Sequence, residues 1–92
     1  MNDRILTLHP EGKEGVNICS NKYTTIRTAI LRSLEENKQL SFKGLITSVK
    51  QKVAHDFKGS ISWYVTTVKL DLEARDLIHC QRGRGPQSIS LS

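Results

Sequence analysis

Four side chains able to ligate a metal or act as nucleophiles fall toward the two ends of the chain: His9, Cys19, His79 and Cys80. His79 and Cys80 are adjacent in "LIHCQ", but neighbours on a strand point to opposite faces, so adjacency does not make them a catalytic pair. The four can meet only if the two end segments lie side by side. Cys19 and Cys80 stand in no CxxC spacing, which argues against a disulfide framework and against a zinc knuckle. "HPEGKEG" contains a Gly-Lys dipeptide but lacks the earlier glycine, the following Ser or Thr and the strand-to-helix setting of a phosphate-cradling loop, so it reads as a turn. No paired carboxylates share a helix face beside a nucleophile. These residues lead us to expect a protein without catalytic activity, metal or cofactor, whose cysteines stay reduced and structural.

Charge carries more information. The chain has 14 Lys and Arg against 9 Asp and Glu, a net charge of +5. Residues 38–58 hold five lysines against Asp56, Arg82 and Arg84 are unopposed after residue 76, and residues 59–76 are slightly acidic. Phosphate attraction is the part of nucleic-acid binding that composition can reveal. Lys43, Lys50, Lys52 and Lys58 with Arg82 and Arg84 are therefore candidate clamps on a duplex backbone, and a merely solvated basic surface accounts for the same charges. With 37% apolar and 25% charged residues, the chain reads as an ordinary soluble protein and not as a disordered or membrane one. No apolar run approaches the ~18–20 residues that span a bilayer, and "MNDRILTLHP" has neither the apolar core nor the cleavage site of a signal peptide. The expected location is the cytoplasm.

The elements that must position these charges can be read from spacing. The 92 residues suit one domain with one core. "RILTL" and "GVNIC", joined by the turn-forming "HPEGKE", predict an N-terminal β-hairpin over 1–19. Residues 20–76 hold three helices. In the first, capped by Ser20 or Asn21, Tyr23, Ile26, Ile30 and Leu34 recur at helical spacing, and the helix ends near Asn37. "QLSF" reads as a brief extended connection. Ser41 caps a second helix with Phe42, Leu45, Val49 and Val53 on one face, and Lys58 and Gly59 break the pattern. Ser60 caps a third helix in which Ile61, Val65, Val68 and Leu72 form a narrow core stripe. Over 77–92, "LIHCQ" and "QSISLS" flank "RGRGP" as a second hairpin with a basic tip. The expected core is Ile30, Leu34, Leu45, Val49, Val65, Val68 and Leu72.

Two outward stripes compete on the third helix. Ser62, Thr66 and Lys69 offer hydrogen-bonding groups to base edges or phosphates, although Glu73 continues that stripe with the wrong sign. Trp63, Thr67, Leu70 and Ala74 lie nearly opposite the core. An outward tryptophan and leucine need a cover, which the N-terminal hairpin, a second subunit or a partner protein can supply.

A hairpin, three helices with short connections and a basic-tipped terminal hairpin give the order of a winged helix-turn-helix domain. "SISWYVTTVKLDLEARDLIHCQ" resembles that superfamily's recognition helix running into its first wing strand. Asp76 stands where many winged helices have glycine, although Asp tolerates a left-handed cap better than most residues. "LHPEGKEGVNI" together with "GSISWYVTTVKLDLEARDLI" resembles a family of small, functionally uncharacterised bacterial proteins that are little more than this domain. The superfamily resemblance implies an α+β fold in which the third helix enters the major groove while the second helix and the wing hold phosphates. Here the third helix lacks the Arg and Asn residues that most often read bases, and Asp71 and Glu73 would approach phosphates unfavourably. The expectation is one winged-helix domain over 1–92 that binds double-stranded DNA mainly through its backbone, as a small transcriptional regulator. The alternative is a protein-interaction or homodimerising winged helix that uses Trp63, Thr67 and Leu70.

Overall fold

The computed structural model describes residues 4–12, 15–53, 57–81 and 88–92. Strands β1 (Arg4–Leu6) and β2 (Asn17–Cys19) pair antiparallel with Ile5 opposite Ile18, forming the N-terminal hairpin. Beyond the strands the hairpin is held by Thr7, whose N–H donates to the Val16 carbonyl at 2.9 Å and whose hydroxyl accepts from the Val16 N–H at 2.9 Å. The chain passes so closely here that a Cβ at Gly15 would overlap the Thr7 carbonyl, so only glycine fits.

Helix α1 (Ser20–Asn37) leaves β2 with no intervening loop. Its cap position falls on Cys19, still in the strand, and no side chain caps the first turn. The expected cap at Ser20 or Asn21 is therefore corrected: the strand hands the chain over inside the helix, and both residues lie within it. Helix α2 (Phe42–Lys52) is capped as the sequence suggests, the Ser41 hydroxyl accepting from the Gly44 N–H at 3.0 Å. Helix α3 (Ile61–Ala74) starts in the same way, with the Ser60 hydroxyl accepting from the Trp63 N–H at 3.2 Å.

The extended connection between α1 and α2 is itself a strand, β3 (Gln39–Ser41). It pairs antiparallel with β5 (Ser88–Leu91), which pairs on its other side with β4 (Ile78–Gln81), giving the order β3-β5-β4. Ile89 lies opposite both Leu40 and Cys80, so the central strand delivers one fully buried side chain to the middle of the sheet. Three residues are too few to display alternation, which is why β3 reads only as a connection.

The chain is thus α+β, its described residues forming three helices and two small antiparallel sheets around one core. All seven expected core residues are buried, joined by Ile18, Tyr23, Ile26, Ile78 and Ile89. β5 packs against α1 and β4 against α3, which seats the terminal hairpin on the helices. Among the described residues no helix is long and apolar enough to cross a membrane.

Candidate nucleic-acid interface

On α2, Leu45 and Val49 face the core, which turns Lys43 and Lys50 outward. Both are exposed, and Thr47 stands between them, exposed as well, one turn from each. Among the described residues no acidic side chain pairs with either lysine. Lys52 differs: its ammonium meets Glu36 of α1 at 2.6 Å, which neutralises it where it stands. Lys58 is exposed between α2 and α3. Arg82 and Arg84, the expected wing contacts, lie outside the described residues, between β4 and β5 in the sequence.

Helix α3 departs from its expected pattern in a specific way. Its buried arc is much wider than the four-residue core stripe, because the N-terminal hairpin packs along one flank and the start of α2 along the other. Lys69 is 4% exposed, donates to Glu73 at 2.9 Å and stands 5.7 Å over the Phe42 ring, so it does not belong to an outward stripe with Ser62 and Thr66. Ser62 is half-buried, and the exposed Thr66 uses its hydroxyl to donate to the Ser62 carbonyl at 2.9 Å. In the other stripe Thr67 is buried at 9% exposure, Leu70 and Ala74 are half-buried, and Trp63 stands out at 45%.

The opposite flank of α3 holds the residue that the sequence misassigns most plainly. Asp71, expected to face phosphates, is completely buried. Its carboxylate accepts from the Leu8 N–H at 2.8 Å, the Tyr23 hydroxyl, and Arg75 Nε at 2.9 Å. One side chain thereby ties the hairpin, α1 and α3 together. Burial first, then the hydrogen bond to Asp71, raises the Tyr23 phenol above its usual range. The same carboxylate, through its hydrogen bond, raises the Arg75 guanidinium. None of this negative charge reaches the surface that α2 and α3 present.

Around Trp63 lies an aromatic group that spacing alone does not reveal. Trp63 meets Tyr64 edge-to-face at 4.9 Å, and Tyr64 meets Phe57 in the same way at 5.3 Å. Lys22 of α1 brings its ammonium to 5.4 Å from the Tyr64 ring centre and 5.9 Å from that of Phe57. The adjacent Trp63 and Tyr64 are visible in the sequence, but nothing there places Phe57 or Lys22 beside them. Gly59 has φ +115°, and a Cβ there would come within 2.9 Å of the Tyr64 ring, so glycine also fixes how the loop meets this group.

The candidate ligand set at the chain ends does not assemble: among the described residues no three His, Cys, Asp or Glu side chains come together. Neither cysteine is in a disulfide. The Cys19 thiol lies below its ordinary value because the backbone N–H dipoles of Lys22, and then of Asn21, at the start of α1 favour its charged form. His9 accepts from the Glu11 N–H at 3.1 Å and so serves its own turn.

Comparison with known proteins finds no similar curated protein and no similar solved structure. Residues 4–89 match a family of unknown function (DUF6958), and because that match spans nearly the whole chain, the chain belongs to this family.

Proposed function

We propose that this protein is a winged helix-turn-helix module that grips the backbone of double-stranded DNA, with α2 as its principal contact and β4–β5 as the wing. The arrangement supports the fold reading: three successive helices are followed by a two-stranded hairpin, and the strand between α1 and α2 completes the sheet. The observation that carries the functional reading is the outward face of α2, where Lys43 and Lys50 flank Thr47 and pair with no acidic side chain among the described residues. Residues 38–53 contain four lysines and no Asp or Glu. In the sequence Lys58 follows α2, and Arg82 and Arg84, outside the described residues, fall between β4 and β5, adding to the same positive charge. The outward side of α3, with Ser62, Thr66 and no exposed Lys69, offers little direct base readout, so the grip is expected to be indifferent to sequence.

A labelled blunt duplex followed by anisotropy tests this. Replacing Lys43 and Lys50 together with Gln should weaken binding to every duplex alike by about tenfold or more at low salt, whereas Thr66→Ala should change it little. Unchanged affinity in the double variant would remove α2 from the interface.

The protein-interaction reading loses most of its apolar stripe, because Thr67 is buried and Leu70 half-buried. What remains of it is Trp63 with its aromatic neighbours, a patch small for a stable protein interface.

A further inference from the structure

We propose that Trp63, braced by Tyr64, which packs in turn on Phe57 and lies under the Lys22 ammonium, is a stacking platform for an unpaired base of a single-stranded nucleic acid. The proposal rests on the premise that the partner is nucleic acid and shares the charge of Lys58 with the backbone grip, but its own contact residues, Trp63, Tyr64, Phe57 and Lys22, are none of those on α2. Trp63 is the sole tryptophan and keeps 45% of its surface exposed on a helix whose other large apolar residues are covered or half-covered. Its edge-to-face contact with Tyr64 holds the indole in place without covering it, and Tyr64 is held in turn by Phe57. An aromatic ring fixed in this way loses little freedom when a flat ligand settles on it.

Charge decides which flat ligand that is. The Lys22 ammonium already stands over Tyr64 and Phe57, and exposed Lys58 adjoins Phe57 in the chain. Among the described residues no carboxylate pairs with Lys22 or Lys58. A cationic ligand, the usual guest of an aromatic cage, would meet repulsion from Lys22. An acidic peptide would satisfy the lysines and leave the indole without a partner. A nucleotide satisfies both, since its base stacks on Trp63 while its phosphate lies toward the lysines, and aromatic side chains interleaved with basic ones are how single strands are generally bound. A base within a blunt duplex presents no free face, so this platform distinguishes single strands and frayed ends from the intact duplex that α2 is proposed to hold.

Trp63 supplies its own readout. Titrating the protein at low salt with a short oligothymidine should quench the tryptophan emission, and a blunt duplex should quench it far less. By anisotropy of a labelled single strand, Trp63→Leu should lose about tenfold or more in affinity and Trp63→Phe should recover part of it, with blunt-duplex affinity unchanged in both. The Lys43→Gln, Lys50→Gln protein should show the reverse, keeping the quench by single strand while losing duplex. Emission unmoved by saturating single strand would overturn the platform without touching the backbone grip. So would a quench reproduced in full by polyglutamate, or one that tracks protein concentration alone through self-association, since these would assign the patch to a protein partner.

Discussion

At the scale of single residues the surprise is Asp71. A carboxylate in "KLDLEA" reads as one more surface acid on an amphipathic helix, and from α3 alone that reading is sound. It fails because the hairpin brings the Leu8 N–H to the carboxylate, which also meets Tyr23 of α1 and Arg75 at the end of α3. Removing the acceptor would leave the part-buried Leu8 N–H and the buried Tyr23 hydroxyl without this partner. Asp71→Ala should therefore cost about 3–5 kcal/mol in chemical denaturation, and Tyr23→Phe only about 1–2 kcal/mol. The Tyr23 phenol also sets a pH dependence. Its folded value is raised above the unfolded one near 10, so its contribution is complete below that pH and is lost as pH rises through the folded value. Stability should fall on the alkaline side, and Tyr23→Phe should flatten that fall. An unaltered alkaline profile in the variant would show that Tyr23 is not the group responsible. Lys69 teaches the same lesson from the other flank: whether a helical lysine is outside depends on what packs beside the helix.

The elements were far more legible. The caps Ser41 and Ser60, the end of α1 at Asn37, the two hairpins and the core stripe of α3 all lie where spacing and turn chemistry put them. Local signals suffice for these because each is written within a few neighbouring residues. β3 was not legible as a strand, since its identity rests on pairing with β5 some fifty residues later. At the end of α3 the departure from glycine proves to be a strained but complete cap. Asp76 has φ +61°, its N–H donates to the Glu73 carbonyl at 3.1 Å, and the Leu77 N–H donates to the Leu72 carbonyl at 3.0 Å. Asp76→Gly should relieve the left-handed backbone and raise stability by about 0.5–1 kcal/mol, a gain measurable as a higher melting temperature. Val68→Ala or Leu72→Ala should cost roughly 2–4 kcal/mol, as for other fully buried aliphatics. A loss below about 0.5 kcal/mol at both positions would be incompatible with a core centred on α3. Gly15→Ala should disrupt the hairpin and, through Leu8, loosen the Asp71 tie.

At the scale of the molecule, the sorting of charge is what the proposed function rests on. The acids of α3 are turned inward or paired, Glu36 takes up Lys52, and the outward face of α2 keeps its lysines free of acidic partners among the described residues. A surface of that kind gains affinity for a duplex by releasing the counterions condensed on the phosphates, so its binding must weaken steeply as salt rises. The most direct test is the affinity of the intact protein for a blunt DNA duplex measured across a series of salt concentrations. With Lys43, Lys50, Lys58 and the wing arginines engaging four or five phosphates, log affinity against log salt should fall with a slope of about −4, and Lys43→Gln with Lys50→Gln should flatten it by about two units. A slope near zero, or no binding at the lowest salt, would contradict the account.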